Sequence, residues 1–148
     1  MRVKHYWGYR INTEVTEFFR KELDEGRLRQ GWGTDERQNL RNEIVEGDVR
    51  RNLRMLHEVK EGDILLIPRL PEWEKISIVE AVKDWDTGYQ FKISEKGDYG
   101  HIFPAKLLMV CDRNSEVISK RILSSMRAHC RFWNMDYLQD EIEKIINM

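Results

Sequence analysis

Gly62-Asp63-Ile64-Leu65-Leu66-Ile67-Pro68 is the segment that most strongly predicts the architecture of this chain. Gly62-Asp63 is typical of a turn, and the four aliphatic residues after it form the continuous apolar run of a short buried strand. Pro68 ends the strand, because proline lacks the N–H group that a central strand donates. A helical pattern before this point gives way to closely spaced strands after it.

The strands on the C-terminal side follow one another at short intervals. Asp86-Thr87-Gly88 and Lys96-Gly97-Asp98 have the composition of tight turns, and Tyr89, Phe91 and Ile93 alternate with polar residues as in a half-buried strand. Several short strands separated by turns predict a small curved sheet or barrel. The strand candidates are residues 75–83, 88–93, 99–104 and 106–110.

The N-terminal side predicts a strand followed by helices. Residues 4–11 are rich in aromatic and β-branched side chains, as strands are. Apolar side chains then recur at helical spacing from Val15 to Leu23, and Gly26 ends that helix. A second helical stretch, residues 34–59, is interrupted around Glu46-Gly47-Asp48. Its basic face carries Arg37, Arg41, Arg50, Arg51 and Arg54.

The tail of the chain is predicted to be a pair of helices. The first runs from Ser115, a good N-cap residue, to about Trp133, and the second covers about residues 135–146. The first is basic, because no acid lies between Val117 and Trp133. Its cations are Lys120, Arg121, Arg127 and Arg131.

Length and composition predict one α+β domain covering residues 1–148, since 148 residues suffice for one good core but not for two ordinary domains. The formal net charge of −1 excludes a global field that attracts nucleic acid or membrane, so such binding must use a local patch. No apolar run is long enough to span a bilayer, and the first residues lack the apolar core of a secretion signal. With only two cysteines, Cys111 and Cys130, we expect a cytoplasmic protein with reduced thiols.

Arg27-Leu28-Arg29-Gln30-Gly31-Trp32-Gly33 is the stretch that carries most information about function. Glycines on both sides of Trp32 favour a sharply turned loop that can press the indole against a ligand. An aromatic plate beside guanidinium and amide groups suits a flat, hydrogen-bonding, anionic ligand such as a nucleotide. The alternative is that Trp32 closes the end of a hydrophobic core and that Arg29 pairs with a nearby acid.

The order of these motifs, together with Asp98-Tyr99-Gly100-His101-Ile102, resembles the PUA-like superfamily. The likeness is to its EVE, YTH and SRA branches and to similar modules fused to bacterial restriction nucleases, and it covers about residues 4–110. It implies a PUA-like curved sheet or pseudo-barrel flanked by helices, whose mouth accepts a base, often a modified one, between aromatic side chains. On this chain, Trp7 and Trp32 match the expected cage positions. Residues 112–148 form a C-terminal helical extension outside the likeness.

The predicted site has a base-binding part and a phosphate-binding part. Gln30 can donate and accept at a base edge, and Arg29 can hold a phosphate with two nitrogens. Trp7 could equally be a half-buried core aromatic, and Asp98 and His101 could serve only a turn and its support. Trp73 and Trp85 are candidates for the rim. The base-binding candidates are Trp7, Gln30, Trp32, Asp98, Tyr99 and His101, and the phosphate-binding candidates are Arg29, Lys120, Arg127 and Arg131.

These residues favour a non-enzymatic reader of a base in DNA, or in RNA, that needs no metal or cofactor and could serve restriction or defence beside a partner nuclease subunit. One rival is a protein-interaction or regulatory subunit whose basic helix meets an acidic partner. Another is a small metal-dependent nuclease, for which Glu58-Val59-Lys60 supplies the Glu-x-Lys spacing without a convincing partner aspartate. The histidines and cysteines lack zinc-ligand spacing.

Overall fold

A computed structural model describes residues 3–148. Seven strands lie within these residues: β1 Tyr6–Tyr9, β2 Arg27–Gln30, β3 Ile64–Pro68, β4 Lys75–Ala81, β5 Gln90–Phe91, β6 His101–Asp112 and β7 Phe132–Asn134. They form one mixed sheet in the order β2-β6-β4-β3-β1-β7, with β5 paired to β6. β1 runs parallel to β3, and the other pairs are antiparallel.

Five α-helices of the described residues flank the sheet: α1 Thr16–Asp24, α2 Arg51–Glu58, α3 Trp85–Gly88, α4 Lys120–Ser125 and α5 Gln139–Ile146. Short 3-10 turns precede α1, α2 and α5 and occupy residues 36–38. The predicted fold class, an α+β domain with a curved sheet flanked by helices, is therefore confirmed.

The sheet curves along β6. The first residues of this long strand pair with β2 and β5, whereas residues from Ala105 onward pair with β4. A register shift between Ile78 and Val79 adds an irregularity in β4, and such bulges bend and twist a sheet. The separate strands predicted at residues 99–104 and 106–110 are therefore one continuous, bent strand.

Both faces of the sheet are buried. Along β3, Leu65 and Ile67 join a core with α1 and α2, while Ile64 and Leu66 join a second core with α4 and α5. This division follows from the two-residue period of a strand. A strand with two buried faces must be apolar throughout, which explains the uninterrupted Ile64-Leu65-Leu66-Ile67 run.

The predicted helix from Ser115 to about Trp133 is wrong. Only Lys120–Ser125 is α-helical, and Phe132–Asn134 forms β7, which pairs antiparallel with β1. In a helix the carbonyls of Met126, Ala128 and Cys130 would accept from backbone N–H groups. Here they accept from the guanidinium of Arg10 instead. The tail therefore adds a strand to the sheet.

Two other elements are shorter than predicted. The 34–59 stretch is α-helical only over Arg51–Glu58, preceded by 3-10 turns at Glu36–Gln38 and Gly47–Arg50. The strand predicted over residues 88–93 is reduced to Gln90–Phe91, because Trp85–Gly88 forms a helical turn that buries Trp85 completely. The buried position of Trp85 excludes it from a binding rim.

No helix within residues 3–148 is both long and apolar enough to cross a bilayer.

Candidate functional site

A cavity of about 760 Å³ lies between the Trp32 loop, the start of α2 and the segment that leads into β7. Its volume falls in the range of small-molecule and cofactor sites. Apart from arginines, its wall includes Asn12, Gln30, Trp32, Asp98 and Tyr99. The arginines are Arg10, Arg50, Arg51, Arg54 and Arg131.

Trp32 is half-buried at the cavity and has a left-handed backbone with φ of 63°. This conformation is costly for a residue with a side chain and persists only where its surroundings hold it. Three hydrogen bonds hold the loop: Asn52 Nδ2 to Gly31 O (3.0 Å), Gly33 N to Asp98 Oδ1 (3.0 Å) and His101 Nε2 to Trp32 O (2.8 Å). The loop is therefore fixed in place.

Gly33 is required by a close approach of two chain segments. A Cβ atom at position 33 would lie 2.4 Å from the backbone nitrogen of Gly100, whose N–H donates to the Gly33 carbonyl at 3.0 Å. The sequence pattern favoured glycine here for a turned or mobile loop. The observed reason is tight packing against the Asp98-Tyr99-Gly100 turn.

His101 does not line the cavity, so its predicted contact with a base is wrong. The side chain is fully buried beneath the loop. Because Nε2 faces the Trp32 carbonyl it carries the proton, and Nδ1 accepts from the Tyr89 hydroxyl at 2.7 Å. That hydroxyl in turn accepts from the Leu40 N–H at 3.1 Å. The neutral imidazole thus connects Trp32 to the core.

Acid should destabilise the domain through His101. Burial, with a smaller contribution from the Arg131 charge, lowers the pKa of His101 to about 4, against about 6.5 in an unfolded chain. Between these values the unfolded chain binds a proton that the native state does not. The contribution of the neutral His101 to the free energy of unfolding is complete above about pH 6.5. It falls by roughly 3 kcal/mol as the pH drops to about 4.

Urea unfolding at a series of pH values checks this prediction. His101→Gln keeps an N–H donor for the Trp32 carbonyl but cannot titrate, so its stability should fall less between about pH 6.5 and 4 than that of the unaltered protein. Identical pH profiles for the two proteins would contradict it.

Arg131 connects the tail to the Trp32 loop. Its guanidinium carbon lies 3.7 Å from the centre of the Trp32 ring, and Nη1 donates to Asn52 Oδ1 at 2.9 Å. Burial and the charge of Arg51 lower its pKa. Within residues 3–148, its Nε and Nη2 donate no hydrogen bond to the protein. These nitrogens are available to an anionic ligand.

The cavity is strongly positive although the chain is almost neutral. Its only lining acid among the described residues is Asp98. Arg51 and Arg54 make exposed ion pairs with Asp48 (3.4 Å) and Glu58 (2.5 Å), which are weakened by solvent. No acid in the described chain lies within ion-pair distance of the remaining three, Arg10, Arg50 and Arg131.

Gln30, Asp98 and Tyr99 lie at the cavity, as does Trp32, so these four base-binding candidates are brought together. Asp98 also supports the loop through its bond from Gly33. Tyr99 has a left-handed backbone (φ 60°), and its hydroxyl accepts from Asn12 Nδ2 at 2.8 Å. Gln30 is only 5% exposed, and both ends of its amide have partners: Oε1 accepts from Gly31 N at 3.0 Å and Nε2 donates to Arg10 O at 3.5 Å.

Trp7 is not part of an aromatic cage, and that prediction is wrong. It is only 3% exposed, donates from Nε1 to Asp63 Oδ2 at 3.0 Å and stacks on Phe132 with ring centres 4.6 Å apart. Phe132 lines the cavity and separates Trp7 from it. Trp7 belongs to the core below.

Two of the four phosphate-binding candidates are misplaced. Arg29 is buried, with Nε 2.5 Å from Glu22 Oε1 and Nη1 2.7 Å from Lys92 O, so it braces β2 and cannot reach a ligand in the cavity. Lys120 lies at the exposed start of α4 and lines neither the main cavity nor its smaller neighbour. Arg127 lines a smaller neighbouring cavity, and Arg131 lines the main one.

Sequence reasoning did not assign Arg10, Arg50, Arg51 and Arg54 to the site. Three of them were visible as the basic face of the second helical stretch. The sequence does not show where that face lies relative to Trp32. In the structure the guanidinium carbon of Arg51 is 5.6 Å from the centre of the Trp32 ring. Arg10 follows β1 with no distinguishing motif.

The Glu-x-Lys spacing does not form a cluster. Glu58 pairs with Arg54, and Lys60 pairs with Asp86 at 3.2 Å, while Val59 between them is fully buried. Within residues 3–148, no group of three or more histidine, cysteine or acidic side chains is placed to hold a metal ion.

No protein-family model and no curated protein matches the chain. Among solved structures, the chain is similar to Rpa0253 from Rhodopseudomonas palustris, with 12% identity, a TM-score of 0.49 and coverage of 97% of this chain and 91% of that one. It is also similar to Atu2648 from Agrobacterium tumefaciens, with 15% identity, a TM-score of 0.42 and coverage of 94% and 92%. Likenesses this distant carry no argument about function.

Proposed function

We propose that this protein binds a base of a nucleic-acid strand in the cavity beside Trp32, without catalysing a reaction. The observation that carries the proposal is an arginine-lined cavity with a half-buried tryptophan held in a left-handed conformation at its wall. Strained residues cluster at binding sites, where the rest of the fold compensates for their cost.

The chemistry of the wall fits a nucleotide in two ways. Trp32 offers an aromatic face, and stacking on such a face contributes about 1–3 kcal/mol per base. Asp98 offers a carboxylate acceptor to the base edge, and the guanidinium groups of Arg50 and Arg131 suit phosphate oxygens. A single cavity therefore supplies contacts for both parts of a nucleotide.

The ligand that we favour is a modified base in DNA, extruded or single-stranded. This choice rests on the resemblance to PUA-like base readers. Extruding a base costs a few kcal/mol, which stacking on Trp32 and contacts to phosphate would offset.

Binding to matched oligonucleotides tests the proposal. The set contains single- and double-stranded DNA with cytosine or 5-methylcytosine, and with adenine or N6-methyladenine, and one RNA of the same sequence. We expect single-stranded DNA or a duplex with a modified base to bind, in the presence of a chelator and without strand cleavage. Polyglutamate is the competitor that represents an acidic protein partner, and its binding in preference to every oligonucleotide would overturn the proposal.

Salt dependence should locate the phosphate contacts at the cavity. For single strands, the slope of log affinity against log salt changes by about 0.7 for each lost contact. Arg50→Gln should reduce the slope by about that amount, because Arg50 lines the cavity and pairs with no acid of the described chain. The matched control is Arg20→Gln, an arginine on α1 outside the cavity. Equal slopes for both variants would place the contacts elsewhere.

A further inference from the structure

A second cavity of about 400 Å³ adjoins the first, and Arg10 and His129 line both. Its wall includes Arg69 and Trp73, from the connection between β3 and β4, and Arg127, after α4. Because two lining residues are shared, the two cavities lie side by side, and together they are called the groove.

Trp73 lines the second cavity, as Trp32 lines the first. It is 56% exposed, and the guanidinium carbon of Arg69 lies 4.0 Å from the centre of its ring. Arg69 has a left-handed backbone with φ of 64°. The non-glycine residues with positive φ in the described chain are Trp32, Arg69 and Tyr99, and all three line the groove.

The second cavity is also cationic. No acid lines it within residues 3–148, and its lining cations are Arg10, Arg69, Lys75, Arg113 and Arg127. Burial and the charge of Arg69 lower the pKa of Arg10, so the two cations repel each other across the groove. An anion between them would relieve that repulsion.

Arg10 is fixed at the junction of the two cavities. Its guanidinium donates to the carbonyls of Met126 (3.2 Å), Ala128 and Cys130 (3.3 Å). A guanidinium already fixed by three backbone carbonyls loses little further entropy when an anion binds. The junction is thus a prepared position for a phosphate group.

We propose that the second cavity binds the nucleotide next to the one captured at Trp32, with its base on Trp73 and the intervening phosphate at Arg10. This proposal rests on the proposed function and extends the site to a single-stranded segment of at least two nucleotides. The exposed ring of Trp73 suits any base, since every base has a face to stack.

The test compares Trp73→Ala with Tyr137→Ala in binding single-stranded DNA of mixed sequence, from one to about six nucleotides long. Tyr137 is the matched control: it is 61% exposed, carries Arg121 at 5.7 Å from its ring centre and lines neither cavity. Trp73→Ala should leave the affinity for mononucleotides unchanged and weaken that for longer strands about tenfold. Tyr137→Ala should change neither.

Two results would overturn the second site alone. One is an affinity of the unaltered protein that does not increase when the strand is longer than one nucleotide. The other is equal binding of longer strands by Trp73→Ala and Tyr137→Ala while Trp32→Ala still weakens binding. Failure of the unaltered protein to bind any mononucleotide or oligonucleotide would overturn both the base-binding function and its extension.

Discussion

Replacing Trp32 with alanine is expected to weaken binding of a single-stranded oligonucleotide by about 1–3 kcal/mol, a factor of roughly 5 to 150. The indole lies at the cavity wall on a loop held by Asn52, Asp98 and His101, and alanine removes its stacking face. The unfolding free energy should change less than for a fully buried tryptophan, where truncation costs about 3–5 kcal/mol.

Fluorescence anisotropy and urea unfolding separate these effects. Trp85→Ala is the matched comparison, because Trp85 is fully buried in the core and lines neither cavity. It should destabilise strongly, whereas Trp32→Phe should recover part of the lost affinity by retaining an aromatic face. If Trp32→Ala destabilises as much as Trp85→Ala and leaves affinity intact, Trp32 is a core residue only.

Replacing Asp63 with alanine is expected to give the largest loss of stability, roughly 3–5 kcal/mol. Its carboxylate is fully buried and accepts from His5 N (3.0 Å), Lys60 N (3.1 Å) and Trp7 Nε1 (3.0 Å). These bonds join β1 to the turn before β3. Alanine would leave these buried donors without an acceptor. The expected loss is large because the whole free energy of unfolding of a domain is only about 5–15 kcal/mol.

Urea unfolding of Asp63→Ala and Asp63→Asn checks this expectation. Asparagine keeps one acceptor oxygen, so it should lose less stability than alanine. The exposed Asp24→Ala on α1 is the control and should shift the unfolding free energy by well under about 1 kcal/mol. If Asp63→Ala also lowered the free energy of unfolding by less than about 1 kcal/mol, water would be accepting the hydrogen bonds that the carboxylate accepts in the unaltered protein.

The strands around Ile64–Pro68 could be predicted because an apolar run between turn residues has few alternatives. Trp7 shows the limit of the same reasoning. The alternation within β1 places it on one face of the strand, but which face meets the cavity depends on β7 and Phe132, which lie far along the chain. No pattern local to residues 4–11 contains that information.

The prediction of one long helix in the tail was wrong for a related physical reason. Ile118, Ile122 and Met126 recur at helical spacing and do pack together, but Phe132 belongs to the other core and to β7. Periodicity does not reveal that the carbonyls of Met126, Ala128 and Cys130 accept hydrogen bonds from Arg10. The contact of Arg131 with a ligand stays a prediction, and its assignment to a helix was wrong.

The loop at Trp32 was identified because its local chemistry is unusual, with glycines beside a tryptophan. The charge of the cavity could not be derived in the same way, since its arginines come from three separate parts of the chain: before α1, at the start of α2 and before β7. Only the fold converts these scattered residues into one wall.

The pairing of β7 with β1 has a consequence for biosynthesis. Until residues up to Asn134 have left the ribosome, β1 is an uncovered edge, and Arg10 lacks the carbonyls that fix it. Trp32 likewise lacks its stacked guanidinium from position 131. A nascent chain therefore has no finished groove until its tail has closed over the sheet, and under the proposed function it cannot bind its ligand before that point.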